Sequence, residues 1–251
     1  MLEYKLIRSK RRKTLVLQVR HGQVTVRAPH YVTTDFIDVF IQEKSTWLRT
    51  KLAEQQETPK CCNFSQNSNL LYLGEEVTLN ITSAKKAGVF FSCDTSSEIE
   101  RGSDQQSTTK QLNVAISEKV NAKLVVPSEK SRQVKKQLES YFKQQAEQLI
   151  IERLELISKQ LSLKPTMINI RQYRARWGSC NNRGEVSFNY LLMMTPAFVI
   201  DYVIIHELCH LEYLNHSKDF WQLVGKFCPN YQLAKKWLSN YQSQLHWQTP
   251  S

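Results

Sequence analysis

The sequence predicts an α+β protein, on three observations. Residues 14–29 and 70–82 alternate apolar and polar side chains with the period of two that a half-buried strand requires. From Val134 to Leu161 the apolar residues recur every three or four positions, the stripe of one long helix. The chain has 251 residues, 41% of them hydrophobic and 10% aromatic, enough to bury a sizeable core. The expected organisation is an N-terminal β-rich part over residues 1–127 and a second domain over 128–251, helical with a small sheet.

In chain order, "TLVLQV" and "QVTVRAP" read as a hairpin around Gly22. From Thr34 to Leu52 the spacing of Phe36, Ile37, Phe40, Ile41, Trp47, Leu48 and Leu52 predicts one helix, with Thr34 or Asp35 as its cap. "TPKCCNFSQNSN" is a polar connection, and "LLYLGEEVTLNIT" returns to strand alternation around a Gly-Glu turn. Residues 92–110 turn to Ser, Thr, Gln, Asp and Glu, the composition of a mobile loop, before the strand-like "QLNVAI" and "KLVVP". After the long helix, "TMINIRQY" and "GEVSFNYLLM" are strand-like and flank the irregular "RARWGSCNNRG". Thr195-Pro196 starts a helix running to about Leu214, Ser217 caps another, and a last helix covers 232–245.

Composition excludes several classes. No run of eighteen apolar residues exists, and the start "MLEYKLIRSKRRK" is charged where a signal peptide is apolar, so no membrane span is expected and the protein is placed in the cytoplasm. The six cysteines form no C-x-x-C pair and read as reduced thiols. The net charge of +11 gathers at Lys5, Arg8, Lys10, Arg11, Arg12 and Lys13, at Lys130, Arg132, Lys135 and Lys136, and at Arg171, Arg174, Arg176 and Arg183. Such a surface is either simply solvated or a weak, sequence-independent site for nucleic acid.

Chemistry concentrates in "VIIHELCHLEYLNHSKDFW". His206 and His210, four apart on a helix, project from neighbouring turns of one face and can share one ion. Glu207 is displaced around the axis, beside the ion, where a carboxylate can take a proton from water. A third ligand must come from downstream. No glutamate follows Glu212, which leaves Asp219 as a carboxylate and His216 as an imidazole. His216 serves only if the helix stops first, and Asn215 can stop it by adopting the left-handed conformation. The ten-residue spacing from His206 to His216 is that of the metzincins, but Tyr213 stands at their glycine and all four methionines lie upstream, so no Met-turn can follow.

The chain resembles the YgjP-like (DUF45) metal-dependent hydrolases, grouped with M48-type metallopeptidases in the zincin superfamily. The motifs that carry the resemblance are "RSKRRKTLVLQV", "VRAP", "YLGEEVTL", "RWGSCNNRGEVSFNYLLMMTP", "DYVIIHELCHL" and "NHSKDFW". It implies a minimal zincin-like domain, one Zn2+ per chain on His206, His210 and His216, and Glu207 as the catalytic group. The polar stretch over 92–110 departs from the family pattern.

Three neutral histidines would leave a fourth position for a water activated by Glu207, which suits hydrolysis of a peptide bond. In zincin folds, a strand before the metal helix borders the cleft and can pair with an extended peptide, a role that falls here to "GEVSFNYLL". Arg174 and Arg176, with Asn189, are the candidate substrate contacts. Guanidinium groups around "RWGSC" would also suit phosphates, so a nucleoside triphosphate (for example UTP) pyrophosphatase is the alternative. A third reading is a nucleic-acid-associated protease of WLM or SprT type. Asp201 and Asp219 are candidates to orient a ligand ring. Cys180, Cys209, Trp177 and Trp221 read as packing residues.

Overall fold

The computed structural model describes residues 3–20, 22–56, 62–96, 107–242, 244, 245 and 247. The backbone forms two compact units, Met1–Lys60 and Cys61–Ser251. In the first, β1 (Tyr4–Ser9), β2 (Val16–Arg20) and β3 (Gln23–Pro29) are followed by α1 (Thr34–Glu43) and α2 (Ser45–Gln56). The expected hairpin is present: Arg20 pairs with Gln23, and Gly22 takes the left-handed conformation at φ 72°. β3 is the central strand, with β1 parallel to it on its other edge, a strand that the charged N-terminal sequence concealed. Val24, Val26 and Ala28 meet Ile37, Ile41 and Leu48 in a small core.

The helix expected over 34–52 is two, separated at Lys44, and its cap is Thr33, whose hydroxyl accepts from the Phe36 N–H. Periodicity misses this break because Ile37, Ile41 and Leu48 face inward on both sides of it. Among the N-terminal cations Arg8 is committed to the fold, its guanidinium donating to the carbonyls of His30 and Val32.

The second unit opens with β4 (Asn69–Tyr72), β5 (Glu75–Ala84), β6 (Gly88–Ser96) and β7 (Ser107–Ser117), in the sheet order β4-β5-β7-β6. A short α3 (Glu118–Asn121) leads to α4 (Pro127–Leu161). Then come β8 (Met167–Arg171), β9 (Gly178–Cys180) and β10 (Glu185–Asn189), a 3-10 helix over Tyr190–Met194, and α5 (Ala197–Cys209), α6 (Lys218–Phe227) and α7 (Tyr231–Tyr241).

Several expectations change here. Residues 92–96 and 107–110 are paired strand, Ser92 with Gln111 and Cys93 with Lys110, because the backbone of the two segments pairs whatever their composition; 97–106 lie outside the described residues. "KLVVP" is not a strand, and "YLLMM" winds into a 3-10 turn with all five side chains buried. The boundary expected at 127 falls instead at 60. The reason is a shared core: Leu79, Leu112 and Val114 belong to one cluster with Val134, Leu138 and Phe142 of α4.

α4 is the spine of that unit. Pro127 at its first position and Ser162 in the left-handed conformation (φ 56°) beyond its end bound 35 residues. Its buried row, from Val134 through Phe142, Ile150 and Leu154 to Leu161, lies against β6 and β7, the 3-10 helix and α5. α5 takes its start from the turn between β4 and β5. Leu73 and Gly74 donate their N–H groups to the carbonyls of Met193 and Met194, and a Cβ on Gly74 would stand 2.4 Å from Pro196 Cγ. Gly74 also has φ 81°, a conformation closed to most side chains.

Gly74→Ala should therefore lose stability by more than the roughly 1 kcal/mol of a strained backbone position, since the methyl also displaces Pro196. Urea denaturation of the full chain measures it, and an unchanged midpoint would mean that the turn does not fix α5.

Candidate metal centre

α5 is apolar on nearly every side. Val199, Ile200, Tyr202, Val203, Ile204, Ile205, Leu208 and Cys209 are all buried, between α4, β9, α6 and α7. A helix of that kind can only be an interior one. Burial carries His206 and Glu207 out of water with it.

His206 lies edge-on to Tyr202 and Phe220, at ring-centroid distances of 5.7 and 5.0 Å. Burial first, then the neighbouring His210, His216 and Lys235, lowers its pKa to about 3, so the ring is neutral. Its Nδ1 is buried without a hydrogen-bond partner among the described residues. His210 is the residue that caps α5, and its Nδ1–H donates to the Tyr213 carbonyl at 2.9 Å. That bond fixes the tautomer and leaves Nε2 as a free lone pair. His216 lies beyond the helix, with its Nε2 3.1 Å from Nε2 of His206.

The three imidazoles offer ligand atoms all within 4.8 Å of one another. Tetrahedral zinc, with bonds of about 2.0–2.1 Å, needs nitrogens roughly 3.4 Å apart. The donor set fits a borderline-soft divalent ion after small adjustments. The expected helix stop differs in detail: α5 ends at Cys209, not near Leu214, and Asn215 is not left-handed. Instead Asn215 Oδ1 accepts from the Ser217 N–H, and Ser217 Oγ caps α6 by accepting from Phe220 N–H at 3.2 Å. His216 is thus held in a short turn between two helices.

Glu207 is 5% exposed, and burial raises its pKa to about 8 against the lowering effect of Arg176. Its side chain lies against the backbone of β9. A Cβ on Gly178 would come within 2.6 Å of both Cγ and Oε1 of Glu207, so glycine is the residue that admits the carboxyl there. Gly178, within "RWGSC", is a contact of Glu207 that residue type alone does not reveal.

The other candidates are distributed differently. Arg174 and Arg176 are exposed, and neither makes an ion pair with a carboxylate among the described residues. Asn189 is engaged within the fold: its amide donates to the carbonyls of Tyr173 and Arg176 at 3.1 Å each, and its Oδ1 accepts from Leu191 N–H. It positions the loop before β9 and has no group left for a substrate. Asp201 pairs with Arg153 of α4 at 2.6 Å, and no hydrogen bond joins it to a histidine among the described residues. Asp219 lines a separate open pocket with Tyr213, Gln222, Leu223 and Lys226. The ring-orienting acceptor is the Tyr213 carbonyl, a backbone group that residue types cannot reveal. Cys209 is fully buried, burial pushes its thiol up to about 12, and neither it nor Cys180 joins the cluster. β10 sits between β8 and β9, so the strand left as an edge beside Glu207 is β9, not the one expected.

Two histidines and a buried glutamate at the end of one interior helix, with a third histidine converging on them from the following turn, point to the class, a metal-dependent hydrolase of the metallopeptidase type. The chain belongs to the YgjP-like family, whose metallopeptidase domain matches residues 13–241. No curated protein matches it. Two solved structures share short stretches with it. The metallopeptidase zymogen abylysin of Pyrococcus abyssi is 22% identical at a TM-score of 0.34, covering 37% of this chain and 95% of its own. The metallopeptidase zymogen jannalysin of Methanocaldococcus jannaschii is 18% identical at 0.31, covering 35% and 94%. Among the described residues no helix is long and apolar enough to cross a membrane.

The raised pKa of Glu207 has a consequence for the metal-free protein. Between the ordinary value of 4.5 and about 8 the folded chain holds a proton that the unfolded chain releases, so this group's contribution to stability falls as pH rises through that window. Metal-free Glu207→Gln should gain stability over wild type from pH 4.5 to 8. A difference that is flat with pH, by thermal unfolding in chelator, would contradict the buried carboxyl.

Proposed function

We propose that the protein is a zinc-dependent peptidase in which His206, His210 and His216 hold one ion and Glu207 is the general base. The observation that carries this reading is the pairing of three convergent imidazoles, His206, His210 and His216, with a buried carboxyl whose proton affinity burial has raised. An ion held by His206, His210 and His216 would supply the Lewis acid that such hydrolysis needs. Glu207 accepts a proton on its carboxylate and returns it to the departing amine. Gly178 keeps that carboxylate against β9, and the Tyr213 carbonyl keeps His210 turned inward. An extended peptide can pair with the free edge of β9, which runs beside Glu207 and lays the substrate backbone along the site.

One observation favours a second substrate class. Arg174 and Arg176 are exposed without carboxylate partners among the described residues, and Arg176 is near enough to Glu207 to lower its pKa. An exposed guanidinium group close to Glu207, with a second two residues away in sequence, suits the phosphates of a nucleoside triphosphate, and so a pyrophosphatase.

The purified full chain, assayed on peptide libraries and on nucleoside triphosphates with and without chelator, separates the two. Peptide hydrolysis abolished by chelator and restored by Zn2+ is the expected result; hydrolysis of nucleotides alone would select the second reading. Glu207→Gln should keep its zinc and lose about 10²- to 10⁴-fold in turnover, the range of general-base removal. Gly178→Ala, which forces Glu207 aside, should likewise lower turnover with the zinc content unchanged. Loss of metal in Glu207→Gln would make the glutamate structural.

A further inference from the structure

The three histidines are not held alike. His206 is fixed by burial in α5, and His210 by its bond to the Tyr213 carbonyl. His216 is exposed, stands in a turn between helices, and makes no hydrogen bond through Nδ1 to any described residue. A histidine ligand normally has its second nitrogen fixed by an acceptor. Something else must set this ring.

We propose that Trp221 is the positioning residue for His216, orienting by ring stacking the exposed ligand that neither burial nor an Nδ1 hydrogen bond orients; the inference rests on the three-histidine site proposed above. The two rings lie 22° from parallel with centroids 5.6 Å apart, whereas Phe220 meets His216 edge-on at 90°. Trp221 is itself held. It stacks on Tyr231 of α7 at 18° and 5.2 Å, and Lys235 Nζ stands 4.3 Å from its ring centroid. Tyr231 continues to Tyr202 of α5 at 19° and 6.5 Å. An aromatic row thus runs from the metal helix through α7 and α6 to the exposed ligand. Because Trp221 follows His216 by five residues, across the start of α6 that Ser217 caps, the turn brings ring and ligand together.

A stack contributes modestly to folding but decides how many orientations His216 samples before an ion arrives. Loss of such a support typically weakens metal affinity by roughly 10- to 100-fold. The test uses the full chain as wild type, Trp221→Phe, Trp221→Leu and His216→Ala. Zn2+ affinity is measured by competition with a chromophoric chelator, the Co2+ absorption spectrum reports the ligand set, and metal-free melting reports folding. We expect Trp221→Leu, which fills apolar space without a ring, to bind Zn2+ at least tenfold more weakly, with a Co2+ spectrum moved toward that of His216→Ala. Trp221→Phe should restore affinity to within a few-fold. If Trp221→Leu binds as tightly as wild type with an unchanged spectrum, or if Trp221→Phe is as weak as Trp221→Leu at equal metal-free melting, the stack does not orient the ligand. A wild-type protein that takes up no Zn2+ would overturn the three-histidine site and this inference with it.

Discussion

Burial of α5 is the constraint on which the second unit depends. Eight apolar side chains along thirteen residues commit the helix to the interior, and α4, β9, α6 and α7 are the surfaces that cover it. Desolvation then does the chemical work. It removes the proton from His206 and adds one to Glu207 near neutral pH, opposite shifts from a single cause. A helix of the same motif on the surface would have neither a permanently neutral imidazole nor a carboxyl with this proton affinity.

Around that helix the surroundings of the site are graded in rigidity. The first histidine is half-buried between Tyr202 and Phe220, the second is held by a backbone carbonyl, and the third stands in a turn beside an aromatic stack. The glutamate is held by shape, since only a glycine at 178 leaves room for it. The same economy appears at the start of α5, where Gly74 lets the β4–β5 turn lie on Pro196. Two glycines far apart in sequence thus set the place of the helix and of its carboxyl. Arg153 and Asp201 add an ion pair between α4 and α5, but at about one-third exposure it contributes little beside the apolar contact.

Long elements with one buried face were legible in the sequence. The α4 stripe, the hairpin at Gly22 and the Ser217 cap are local patterns whose cause lies within the element. Features decided by contact with distant chain were not. The strand β1 exists because β3 offers an edge, the five residues Tyr190–Met194 form a turn because all their side chains must be buried, and 92–96 with 107–110 pair because β7 also completes a sheet with β5. The histidine cluster could be read from spacing and resemblance, because a helix places positions four apart together. Tyr213, Gly178 and Trp221 could not, since they act through a carbonyl, a missing side chain and a ring face. Asn189 illustrates the converse: a polar residue near the site whose bonds go to the loop before β9 and to the 3-10 helix that it caps.

The central claim is that His216, and not the nearby carboxylate Asp219, completes the ion's protein ligands. Zinc content per chain, measured side by side in the wild type, His216→Ala and Asp219→Ala, tests it most directly. The account predicts about one zinc per chain in the wild type and in Asp219→Ala, and most of it lost from His216→Ala. Zinc retained by His216→Ala and lost from Asp219→Ala would contradict it.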